Sequence, residues 1–167
     1  MTVTLKVMHP MFSAGLSPIA GIANINSIFA IIQPMTSRFL DWFRQAEADL
    51  KHANNSLESG DFEWSCFAAH QAAEKALKAT LLKFGSEAWG HTITVLIGNL
   101  PDSVQAPSPT LIDHARILDK YYIPTRYPNG FDSGAPTDFY TESEALQAIR
   151  LAEEILEFCS DQINRPE

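Results

Sequence analysis

The sequence predicts an all-α protein, an up-and-down bundle of four to five helices. Three observations carry that expectation. Apolar residues recur at three- and four-residue spacing through most of the chain after residue 38, the period of a helix with one buried face. No segment sustains the apolar–polar alternation of a strand. Gly, Pro, Asn and Asp gather between the periodic segments and leave mostly short connections, which suits helices packed side by side. The length agrees, because 167 residues can bury one sizeable core without disulfide or metal staples.

The elements follow in order. Residues 1–34 hold no acidic residue and a single lysine, Lys6. Pro18, Gly15, Gly21, Asn24 and Asn26 interrupt this stretch. Its longest clean apolar run, Ser27 to Ile32, is far short of the ~20 residues that cross a bilayer. A broken apolar core also argues against a signal peptide. Met35 stands directly before strong helix signals, so residues 1–34 read as an upstream extension from a misplaced start codon or a poorly ordered tail. The expected organisation is that extension, a bundle over residues 35–163, and a tail at 164–167. In the first helix Phe39, Trp42, Phe43, Ala46, Leu50, Ala53 and Leu57 make the apolar stripe. Gly60 ends it, and Asp61 is placed to cap the next helix. That second helix runs from about Phe62 to Phe84 and is rich in Ala, so neighbours can approach it closely and it belongs at the centre. Gly85 stops it. Residues 91–100 read as a short third helix. Three prolines from Pro101 to Pro109 mark a loop. Leu111, Ala115, Leu118 and Tyr122 form a fourth helix that breaks before Pro124. A polar loop follows to Tyr140. Thr141 and Glu144 have the spacing of a capping box, and Ala145, Ile149, Ala152, Leu156, Cys159 and Ile163 line the buried face of the last helix.

Composition narrows the function classes. Apolar residues are 46% and charged residues 19% of the chain, a globular balance. The formal net charge is −8, which argues against general DNA binding while leaving room for a local basic pocket. Cys66 and Cys159 lie in apolar, helix-like surroundings and read as buried thiols in a reducing cytoplasm. No His/Cys spacing suits a metal, and no motif for a cofactor, a phosphate-binding loop or a nucleophile elbow is present. Adjacent carboxylates such as Glu153 and Glu154 face different ways on a helix and make no acid–base dyad. The expectation is a cytoplasmic protein with no catalytic residue, no cofactor, no metal and no membrane segment.

The central helix reads AAHQAAEKALKATLLKFG over residues 68–85. It is preceded by Trp42, Ala46 and Asp49-Leu50, and followed by His91, Leu96 and Leu100, then by YYIPTRYP at residues 121–128 and by the last helix from Ala145. That ordered set, from about Met35 to Gln162, resembles the HEPN domain family, and the RYP element is its sharpest part. The resemblance implies a helical bundle that commonly forms homodimers and pairs with a minimal nucleotidyltransferase, with a nucleotide or the partner's substrate as ligand. Some members are RNA-cutting toxins of toxin–antitoxin pairs and carry an Arg followed, after four to six residues, by a His. This sequence departs from that pattern: seven residues separate Arg44 from His52, and no His follows Arg116, Arg126, Arg150 or Arg165. A binding module is therefore expected ahead of a ribonuclease, and a structural or regulatory dimer without ligand remains a third reading.

The candidate ligand-binding residues are Arg126, Tyr127, Lys75, Lys78, Glu74, His70, Asp119 and Tyr122. Arg126 and Tyr127 sit between two prolines, which pre-order a loop. A guanidinium offers bidentate donors to a phosphate or carboxylate, and a phenol can stack on a base. The alternative for Arg126 is an internal pair with an acid such as Asp119, stapling the loop. Lys75 and Lys78 are three apart on a helix and can share an anion, or form a solvated face. His70 precedes Glu74 by one turn and reads as a packed or interface histidine as readily as an acid–base group. His91 is expected to hydrogen-bond locally at the start of its helix.

Overall fold

The computed structural model describes the backbone of residues 34–165 and the side chains from Arg38 onward. The expectation of an extension over residues 1–34 therefore lies outside the described residues, save that Pro34 opens the first helix, and residues 166 and 167 of the tail lie outside as well. Among the described residues there are five α-helices and no strand. They are α1 (Pro34–Ser59), α2 (Phe62–Lys83), α3 (Ile93–Gly98), α4 (Pro109–Leu118) and α5 (Glu142–Asn164). Short 3₁₀ turns lie at Asp119–Tyr121, Pro128–Gly130 and Pro136–Asp138. No helix among the described residues is long and apolar enough to cross a membrane.

Local chemistry explains the breaks. Gly60 and Gly85 take positive φ, 82° and 71°, a conformation that costs an L side chain energy but not glycine, and each follows the end of a helix. Asp61 makes no side-chain cap on α2, against expectation; α2 starts instead with the Ser65 amide donating to the Asp61 carbonyl. Ser108 caps α4, its Oγ accepting from the Leu111 amide at 3.1 Å, with Pro109 at the first helical position. Thr141 and Glu144 form the expected capping box on α5, the Glu144 carboxylate accepting from the Thr141 amide at 3.0 Å. The third helix is shorter than residues 91–100, because His91 lies in the turn before it.

α2 is the centre of the bundle, packed on α1, α5 and α3, while α4 lies on α5 and meets α3. Of its 22 residues 15 are buried. Ala69, Ala72, Ala73 and Ala76 are wholly buried, and their small size brings the neighbouring backbones close. One tie crosses directly: Ser65 Oγ donates to the Ala53 carbonyl on α1 at 2.9 Å. At the far end Lys83 donates to the Ile163 carbonyl near the C-terminus of α5, where helix carbonyls lack internal partners. The apolar residues on several sides of α2 are thus largely buried within the bundle. Cys66 and Cys159 are free, buried thiols, each pushed up to about 12 by burial, the behaviour of a thiol in apolar surroundings.

Candidate functional site

The site is built where the turn after α4 folds onto the solvent side of α2. The turn reverses tightly: Thr125 is buried and its Oγ1 donates to the Tyr121 carbonyl at 2.7 Å. This brings Arg126 back over its own neighbour. Nε and Nη2 of Arg126 donate to the Tyr122 carbonyl at 2.9 and 2.6 Å. The guanidinium carbon stands 4.4 Å from the ring centre of Phe67 on α2, 4.7 Å from that of Tyr122 and 5.2 Å from that of Tyr127. A planar, weakly hydrated cation suits such stacking.

The sequence offered Asp119 as an internal partner for Arg126, and the structure does not pair them. The Asp119 carboxylate accepts from the Ile93 amide at 2.5 Å, from the Thr94 amide at 3.2 Å and from the Thr94 hydroxyl. It caps α3 from the far end of α4, and helix amides with no other acceptor are stronger claimants than a guanidinium already held by rings. Among the described residues no carboxylate lies within ion-pairing distance of Arg126.

Behind Arg126 lies a stack of rings. The Tyr122 ring is 5.1 Å from that of His70 and 4.8 Å from that of His91, both near parallel. His70 is wholly buried, and burial pushes it down to about 4, outweighing the pull of Glu74, Asp119 and the His91 backbone. It is a neutral packing histidine at ordinary pH. His91 is different: its side chain is 55% exposed, and Nδ1 lies 3.2 Å from one Glu74 oxygen and 3.3 Å from the other. Glu74 is buried, and Lys78 Nζ donates to it at 2.9 Å while Gln71 Nε2 donates at 3.2 Å. Lys78 is itself buried, its ammonium 5.4 Å from the Trp42 ring centre.

Of the residues picked from sequence, the fold joins Arg126, Tyr127, Tyr122, His70, Glu74 and Lys78 in one continuous set of contacts. Lys75 is turned to α1, where it pairs with Asp49. Lys75 and Lys78 therefore do not share an anion; each has its own carboxylate. Sequence reasoning missed Phe67 and Gln71 and gave His91 only a local role. Spacing on α2 carries part of that signal, since Phe67, His70, Gln71 and Glu74 are three and four apart. The partner at His91 is 17 residues from Glu74, beyond the reach of helix periodicity.

Comparisons with known proteins meet this chain over the same stretch. The model of the HEPN domain matches residues 39–162. The crystal structure of TT1696 from Thermus thermophilus aligns with a TM-score of 0.73 at 48% identity, over 75% of this chain and 98% of that one. ST0689, described as an archaeal HEPN homologue, aligns with a TM-score of 0.65 at 38% identity, over 76% of this chain and 98% of its own. A HEPN domain protein from Thermotoga maritima aligns at 0.61 with 36% identity, over 75% of this chain and 99% of its own. A Methanocaldococcus jannaschii protein named "Putative toxin MJ1304" is 27% identical over 128 residues, 72% of this chain and 84% of that protein.

Proposed function

The chain belongs to the HEPN domain family, and from that premise we propose that it is a binding module: it holds a nucleotide at the Arg126–Tyr127 surface, forms a homodimer and pairs with a minimal nucleotidyltransferase. The observation that carries the nucleotide reading is the state of Arg126. It is a cation without a carboxylate among the described residues, set on a pre-ordered turn beside Tyr127, which is 48% exposed. A guanidinium edge that takes a phosphate next to a free aromatic face that takes a base is the minimal chemistry for a nucleotide. Exposed Trp64, Trp89, Val95 and Leu146 support docking of protein partners, since aromatic and Arg side chains dominate interface energetics. The direct test is purification of the protein with its native partners, followed by identification of bound chains and of bound small molecules. A nucleotidyltransferase and a nucleotide are the expected companions; a protein that purifies alone and ligand-free from its own host contradicts the reading.

A second reading, cleavage of RNA, is favoured by one observation. His91 is half exposed and its Nδ1 is held by buried Glu74, an orientation that leaves Nε2 for proton transfer. The Arg–His spacing of the RNA-cutting members is absent from the sequence, which ranks this reading second. RNA cleavage by the purified protein, lost in both Arg126→Ala and His91→Ala, reverses the order.

A further inference from the structure

We infer that the Arg126–Tyr127 surface takes a ligand of one base and one phosphate, a nucleoside monophosphate or the equivalent unit of a single strand, and discriminates against nucleoside triphosphates. The inference rests on the nucleotide reading above and narrows its ligand class. The argument is a count of charge and of donors at the site. Three cations were candidates for phosphate. Lys75 is paired with Asp49, and Lys78 is buried against Glu74, so neither ammonium is spare. Arg126 remains. A guanidinium has five N–H groups; here Nε and Nη2 are engaged by the Tyr122 carbonyl, and rings cover its flanks. What is left is one edge, a fork that matches one phosphate.

Further phosphates have no cation waiting in this cluster. They meet the reverse: with Glu74 and Lys78 cancelling each other, the Asp119 carboxylate remains behind the same ring stack, at the start of α3, in a chain of net charge −8. Each added phosphate therefore raises repulsion without adding a contact. The base has a place as well. Tyr122 is enclosed by His70, His91 and Arg126 and offers no free face. Tyr127 has its guanidinium neighbour on one side and is half exposed, so the base belongs on Tyr127.

Calorimetric titration of the full chain at low ionic strength, with a chelator present, tests this with adenosine, AMP, ADP, ATP and a short single-stranded oligoadenylate. The expected order is AMP tightest among the mononucleotides, with ATP weaker by about fivefold or more, an unscreened electrostatic effect that fades with added salt. Arg126→Gln should lower AMP affinity about tenfold or more, to the level of adenosine. Lys120→Gln, on an exposed neighbour outside the ring contacts, should leave the order unchanged. An oligoadenylate that binds better than AMP identifies a strand as the natural source of the unit; equal binding identifies the free monophosphate. ATP binding as well as or better than AMP overturns the inference and leaves the nucleotide reading standing. AMP and adenosine binding alike in the unaltered chain overturns it too, since Arg126 then takes no phosphate. Absence of binding for every ligand removes the nucleotide reading, and the inference with it.

Discussion

At the scale of single residues, two buried groups on α2 make opposite demands. Glu74 is a charge taken out of water and compensated by Lys78 and by the amide of Gln71. Removing one member of a buried pair strands the other, so Glu74→Ala should lower stability by about 3–5 kcal/mol. Chemical denaturation measures it; a loss within the range of an ordinary surface substitution would mean that Lys78 escapes to solvent. His70 is buried as the neutral form. Its folded value is pushed down to about 4 from an ordinary 6.5, so between those values the unfolded chain binds the proton more tightly. The stability it permits is complete above the ordinary value and is lost as pH falls toward 4, a change of roughly 3 kcal/mol across the window. His70→Gln should flatten that part of the stability–pH curve, whatever its effect at neutral pH. An acid limb of unchanged slope would place the titrating group elsewhere.

At the scale of elements, the helices were legible because their signals are local. Apolar stripes at helical spacing, Gly60 and Gly85 as stops, and the Thr141–Glu144 box all act within a turn or two of chain, whereas Ser108 and Pro109, read as loop, prove to be the cap and first residue of α4. The central place of α2 was legible in its alanines. What spacing could not disclose is which distant group satisfies which. Asp61 lies where a cap belongs and does not cap, whereas Asp119 caps a helix that starts 26 residues before it. Lys75 and Lys78 sit three apart and look like one anion site, yet each finds its own acid, one of them on α1. These pairings are set by how helices pack, and so the candidate site was legible residue by residue but not in its wiring. The Asp119 cap gives a sharp expectation. α3 has six residues, too few to hold itself. Asp119→Ala should cost about 1–2 kcal/mol and speed hydrogen exchange at the Ile93 and Thr94 amides far more than in α5. Uniform protection across both helices would show that the cap is dispensable. Thr141→Ala should cost about 1 kcal/mol by the same logic at α5.

At the scale of the whole molecule, a chain of net charge −8 holds Arg126 at a turn where rings and a backbone carbonyl, and no carboxylate, are its contacts among the described residues. The turn after α4 carries Arg126 to a surface beside the half-exposed Tyr127. Dimerisation is expected through the apolar side chains left outside the core of the bundle. Analytical ultracentrifugation at about tens of micromolar, where weak dimers persist, should show a dimer, and a single monomeric species there would count against it. The central claim, that Arg126 binds rather than merely staples its turn, is tested most directly by one variant measured two ways. Thermal melting and calorimetric titration with AMP are to be run on Arg126→Ala beside the unaltered chain. The account predicts a fold that survives with a stability loss of about 1–2 kcal/mol, from lost ring and carbonyl contacts, and an affinity that falls about tenfold or more. A large drop in melting temperature with unchanged affinity per folded molecule would contradict it and leave Arg126 as a structural staple.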